Sequence, residues 1–145
     1  MVEGRSTDRT VNSQIIARIK NFISIQSAIE VDLFGQSNVE TIRGKQFSAI
    51  GGSHDFLQGA FQSEGGKSIL AMTSTAANGK VSRIISSLVS GTAIAHPRHS
   101  VDYIITEYGV ASLKGKTLQE REKEMINIAH PDFRPQLKEA SAKFV

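Results

Sequence analysis

The hydrophobic pattern changes period several times along the chain. From Asn12 the segment NSQIIARIKNF places Ile15, Ile16 and Ile19 at helical spacing, and Asn12 or Ser13 can cap the free N–H groups, so a short helix is predicted. The period then drops to two: Ile23, Ile25, Ile29, Val31 and Leu33 are odd-numbered, whereas Ser24, Gln26, Glu30 and Asp32 are even. That alternation predicts one half-buried strand, closed by the turn residues Phe34-Gly35-Gln36-Ser37-Asn38. A second extended piece over 45–50 runs into Gly51-Gly52-Ser53, with a helix or loop from His54 to Phe61. Strand, glycine turn and helix is a local pattern that builds ligand sites in α/β folds.

Further short strands are predicted at 69–72, 81–85, 93–95 and 101–106. They are too closely spaced for a helix after each one. The expected fold class is therefore α/β, a mixed open sheet with flanking helices. Towards the C-terminus, Thr117-Leu118-Gln119-Glu120 reads as a capping box, and Leu118, Met125, Ile126 and Ala129 form an apolar stripe, predicting a helix over 118–128. Pro131 restarts the chain, and Phe133, Leu137 and Ala140 predict a second short helix. The polar residues 1–11 are expected to be flexible and 12–145 to form a single domain.

Composition narrows the classes. The 145 residues are 39% hydrophobic with 3 prolines, enough for one substantial core. No apolar run approaches a membrane span, and Met1-Val2-Glu3-Gly4-Arg5 leads into polar residues, so a cytoplasmic protein without a membrane partner is expected. There is no cysteine, which removes disulfides, thiolate metal sites and cysteine nucleophiles. The net charge of +3 is scattered among acids, and no nucleic-acid partner is expected.

Four features could carry chemistry. In QSEGGKSILAM, Gly65-Gly66-Lys67-Ser68 imitates the end of a nucleotide-phosphate loop, but Phe61 occupies the position of the required first glycine and an apolar strand follows. Gly51 and Gly52 offer unobstructed amides of the kind a developing oxyanion needs; the alternative is a plain tight turn. Glu107, in ITEYG, would stand at the carboxyl end of a strand, either facing a ligand or pairing with an arginine. His54 and Asp55 do not form a relay with Ser53, while His96, His99 and His130 lack metal-ligand spacing and read as surface residues; no metal is expected.

SAIEVDLFGQ, AIGGSHDFLQGA, GGKSILAMTSTA, KVSRII, VDYIITEYGVASLKGKT and INIAHPDFRPQL, in this order and spacing, resemble the C-terminal domain of the acetyl-CoA hydrolase/transferase family, which includes 4-hydroxybutyrate, acetate and succinate CoA-transferases. The resemblance implies the CoA-transferase (ribose-phosphate isomerase-like) fold, coenzyme A in the form of acyl-CoA as a substrate, carboxylates as co-substrates, and a homo-oligomer. It also implies a covalent glutamyl-CoA intermediate on a glutamate upstream of the position of Met1, so that an N-terminal domain, in cis or in trans, would complete the site. An isolated chain is then expected to be inactive. The family's G-G-x-x-D-F turn corresponds to Gly51, Gly52, Asp55 and Phe56, and its oxyanion asparagine to Asn12. Lys67, Lys80 and Glu107 are the implied coenzyme A contacts, with Ala76-Ala77-Asn78-Gly79 standing where the family often has A-K-G-G. A non-catalytic CoA-binding or oligomerising module is the alternative.

Overall fold

The computed structural model describes residues 2–143. Two single helical turns, α1 (Thr7–Thr10) and α2 (Ser13–Ile16), precede β1 (Ile23–Gln26) and β2 (Glu30–Asp32). Three minimal strands follow, β3 (Ser37–Asn38), β4 (Thr41–Ile42) and β5 (Lys45–Gln46), and then α3 (Ser53–Gln62). The second half comprises β6 (Lys67–Ala71), β7 (Thr75–Ala76), β8 (Val81–Ser82), β9 (Ile84–Ile85), β10 (Tyr103–Thr106), β11 (Gly109–Ser112), α4 (Leu118–Ile128), a 3-10 turn at Pro131–Phe133 and α5 (Arg134–Ser141).

The main sheet has the order β1-β6-β10-β11, with β1, β6 and β10 parallel and β11 antiparallel. A smaller sheet has the order β3-β2-β9, and β4-β5 and β7-β8 are two-stranded ribbons. This is the mixed open sheet with flanking helices that the spacing of the elements predicts. The core lies on one face of the main sheet, where Leu70, Ile104 and Ala111 meet Leu57 of α3 and Met125 of α4, all with no exposure. Thr117 caps α4 as expected: its side chain accepts from Glu120 N–H while the Glu120 carboxylate accepts from the Thr117 backbone. Met125, Ile126 and Ala129 are buried, but Leu118 is half-exposed on the first turn.

The alternating segment 23–33 is two strands in two sheets. Arg83 explains the break: its guanidinium donates to the carbonyls of Ala28 and Ile29, withdrawing that backbone from a ladder. The inward face of β1 is also the reverse of the expected one. Ser24 is 4% exposed, whereas Ile23 and Ile25 are 55% and 63% exposed. The reason is the close approach of α3 to β1 and β6: a Cβ on Gly66 would lie 2.2 Å from the Ala60 carbonyl oxygen and 2.9 Å from that of Phe22. Only small residues such as Ser24, Ser63 and Ser68 fit along this seam. The outer row Ile25, Ile69, Tyr103 and Ser112 is in register across the four strands, and its β1 end stands open.

Three further expectations give way. Of the stretch 45–50 only Lys45–Gln46 is strand, residues 93–95 form none, and Val81 to Ile85 divides into β8 and β9 around Arg83. Among the described residues no helix is long and apolar enough to cross a membrane.

Candidate active site

A four-residue connection, Ser63 to Gly66, joins the C-terminus of α3 to the start of β6, so α3 runs against β6 and its N-terminus lies at the carboxyl end of the parallel strands. Thr73 and Ser74 follow β6 at that end, and Glu107 follows β10. Gly51-Gly52, Ser74 and Glu107 therefore share the side of the sheet on which α/β folds place ligands.

Gly52 is the N-cap of α3, and its carbonyl accepts from Phe56 N–H. Among the described residues neither the Gly51 nor the Gly52 N–H makes a hydrogen bond. Gly51 is open to solvent, with nothing within 4 Å of where a Cβ would sit, whereas a Cβ on Gly52 would meet Val11 Cγ1 at 2.4 Å. The segment carrying Asn12 thus packs against the glycine turn. Asn12 caps α2 through Oδ1, which accepts from Gln14 and Ile15 N–H at 3.0 and 3.3 Å, and one Nδ2 hydrogen goes to Asp8 O at 3.3 Å. The second Nδ2 hydrogen has no partner among the described residues.

Directly after the turn, Ser53 Oγ lies 2.9 Å from His96 Nε2, and Ser37 Oγ lies 2.7 Å from His96 Nδ1. His96 and Ser37 have no exposure, and their backbones also pair across a bridge. His96 is therefore a core residue, correcting its reading as a surface histidine. Its tautomer follows from hydrogen-bond accounting. The buried Ser37 hydroxyl has no other side-chain partner among the described residues, so its O–H donates to Nδ1, and Nε2–H donates to Ser53 Oγ. Protonation would put a second donor against Ser37, and burial together with the neighbouring His54 ring, stacked at 6.4 Å, pushes the His96 imidazolium pKa down to about 4. Nothing in the sequence announced this cluster, since its members are separated by 59 and 43 residues. Beside it, His54 Nδ1 is buried with no hydrogen-bond partner among the described residues.

Glu107 is exposed and pairs with no arginine within 4.0 Å among the described residues; its carboxylate accepts instead from Ser74 Oγ at 2.6 Å and Ser74 N–H at 2.8 Å. Desolvation raises its pKa, but the bonds from Ser74 and the backbone and the charge of His130 together leave it below the ordinary value. Glu107 thus ties the end of β10 to the end of β6. Arg83 joins the same cluster by donating through Nη1 to Thr73 Oγ1 at 3.0 Å.

Lys67 lies at the amino end of β6, a strand length from Glu107, and is not brought into this cluster. Gly65 turns the chain at φ +72° and Gly66 admits the close approach of α3, which gives Gly65-Gly66-Lys67-Ser68 a structural role. Lys80 closes the turn between β7 and β8, where its N–H donates to Ala77 O at 3.3 Å. Among the described residues no group of three or more His, Cys, Asp and Glu could hold a metal.

The mixed sheet thus carries, at the carboxyl end of its parallel strands, a glycine turn whose two amides make no hydrogen bond among the described residues. The chain belongs to the acetyl-CoA hydrolase/transferase family, whose C-terminal domain it matches over residues 1–141. It is 52% identical over 137 residues to the 4-hydroxybutyrate coenzyme A transferase of Clostridium kluyveri, covering 94% of this chain and 32% of that protein. It is 46% identical over 125 residues to the butyryl-CoA:acetate CoA-transferase of Anaerostipes caccae, covering 84% and 28%. Among solved structures, RipA from Yersinia pestis superposes with a TM-score of 0.87 at 44% identity, over 94% of this chain and 31% of that one. The 4-hydroxybutyrate CoA-transferase of Porphyromonas gingivalis does so with a TM-score of 0.78 at 40% identity, over 95% and 30%. The chain spans about a third of the length of these relatives.

Proposed function

We propose that this chain supplies the acyl-oxygen side of an acyl-CoA:carboxylate CoA-transfer site. The Gly51 and Gly52 amides donate to the thioester oxygen as negative charge develops on it, and the attacking carboxylate comes from an N-terminal domain. The reading rests on one observation above all: at the ligand end of the sheet, these two N–H groups make no internal hydrogen bond among the described residues. Preset donors of this kind lower an acyl-transfer barrier because they need no reorganisation when the charge appears; loss of one costs about 3 kcal/mol. The names of the relatives support coenzyme A, acyl thioesters and carboxylates as the substrate class. Lys80, on an exposed turn, is available to a coenzyme A phosphate.

Covalent exchange needs the nucleophile and the donors around one carbonyl. The purified 145-residue chain should therefore show no acetyl-CoA:butyrate exchange by itself, and should gain it when the N-terminal portion of the Clostridium kluyveri relative is added. Gly52→Ala, whose Cβ would drive Val11 away, should abolish the gain. Robust exchange by the chain alone overturns the proposal. The open, isoleucine-bearing side of β1 favours a second reading, a self-associating module; light scattering that shows a monomer at high concentration would dispose of it.

A further inference from the structure

Two members of the His96 cluster are sealed and the third is not. Ser37 and His96 have no exposure, whereas Ser53 is half-buried at the first position of α3, next to its N-cap Gly52. Cα–Cβ bonds in a helix tilt towards its N-terminus, so the Ser53 side chain is carried towards the end of α3 at which the Gly51 and Gly52 amides stand.

Hydrogen-bond accounting fixes what that side chain has left to give. With its proton spent on His96 Nδ1 at 2.7 Å, Ser37 leaves the ring proton on Nε2, which donates to Ser53 Oγ at 2.9 Å. Ser53 is thus the acceptor in its only side-chain bond among the described residues, and its own proton has no partner there. The bonds all run in one direction, from Ser37 through the ring to Ser53, and such a series polarises its last O–H into a better donor. Nε2 holds a proton and has no lone pair to offer, so it cannot serve Ser53 as a base, and the serine is not a nucleophile.

Three consecutive residues therefore each leave a donor unspent: Gly51 N–H, Gly52 N–H and Ser53 O–H. The residue after them, His54, buries an Nδ1 that is also without a partner among the described residues. Native proteins satisfy their polar groups, so a run of unspent ones marks a place completed from outside.

We propose that the Ser53 hydroxyl is a further catalytic donor to the acyl oxygen, alongside the two glycine amides, and that His96 and Ser37 are positioning residues that aim it. Its part in catalysis rests on the acyl-transfer reading above; its donation to an oxyanion does not. Ser53 keeps its proton throughout, and its bond to the acyl oxygen strengthens as negative charge develops there.

Three measurements test the assignment. In the isotope-labelled 145-residue chain, two-bond correlations from the carbon-bound imidazole protons to the ring nitrogens should show His96 protonated on Nε2 and bare on Nδ1. Titration of the same chain with acetate, a minimal oxyanion, should shift the Gly51, Gly52 and Ser53 amides saturably. Ser53→Ala should weaken acetate about tenfold, the worth of one hydrogen bond to a charged group, and Ser53→Thr, which keeps the hydroxyl, should restore it. In exchange completed by the N-terminal portion of the Clostridium kluyveri relative, Ser53→Ala should lower kcat about a hundredfold while KM moves less than about threefold, with recovery in Ser53→Thr. A merely structural serine would not divide kcat from KM in this way. Ser53→Ala also strips the acceptor from the buried Nε2–H, and should it fail to fold, the tautomer of the unaltered chain still decides.

A proton on Nδ1, acetate affinity or kcat unchanged in Ser53→Ala, or no recovery in Ser53→Thr would each overturn the assignment. Exchange lost in Gly52→Ala but kept in Ser53→Ala would remove the serine and leave the amides standing. Absence of exchange by the unaltered, completed chain would instead remove the acyl-transfer reading, and the acetate titration would then decide whether Ser53 is an oxyanion donor.

Discussion

Replacing His96 by glutamine should flatten the dependence of stability on pH between 6.5 and 4.5. In the folded chain His96 is sealed between Ser37 and Ser53, with its pKa pushed down to about 4 from an ordinary 6.5, chiefly by burial and then by His54. Above pH 6.5 the imidazole is neutral in both folded and unfolded chains and contributes no slope. As the pH falls through 6.5 the unfolded chain takes up a proton that the folded chain refuses, so stability drops by about 1.4 kcal/mol per unit, and the loss is complete once pH has passed through 4. Over the whole interval this amounts to roughly 3 kcal/mol, of which about 2 kcal/mol is lost by pH 5.

Glutamine can accept from Ser37 and donate to Ser53 without titrating. Urea unfolding followed by far-ultraviolet circular dichroism at pH 7.5, 6.5, 5.5 and 5.0 should give a wild-type curve that falls relative to the variant by those amounts. The carboxyls of Asp32, raised by burial against its hydrogen bonds, and of Glu107 and Glu120, lowered, titrate in both proteins and cancel in the difference. Parallel curves for the two proteins would refute the buried-neutral assignment.

Two contrasts probe the frame of the site. Gly66→Ala should destabilise by about 3 kcal/mol, because its Cβ meets main-chain oxygen at 2.2 Å, whereas Gly51→Ala should move the melting temperature hardly at all. Thr117→Ala removes the side chain that accepts from Glu120 N–H at 3.3 Å and should cost about 1 kcal/mol in urea unfolding.

How much of this the sequence could reveal depended on how far apart the partners lie. The helix Leu118–Ile128 was legible to the residue because its capping box and its buried stripe are local. Asn12 capping α2, and Gly51-Gly52 opening α3, were legible for the same reason. The division of 23–33 was not, because it is imposed by Arg83, fifty-odd residues away. The inversion of β1 was hidden too: alternation reports two faces but not which one a helix will cover, and here α3 comes so close that serine faces inward. For the site, motif resemblance located the glycine turn, but the His96 cluster arises only where distant segments meet.

The outward isoleucines of β1 belong to a strand that, among the described residues, is paired on one side only, with β6. A bare lateral seam with a greasy flank is a template for unwanted strand addition. When this polypeptide is handled by itself, its shelf life in concentrated solution will be governed by that seam more than by the firmness of its interior, and a lysine in place of Ile25 is the simplest remedy.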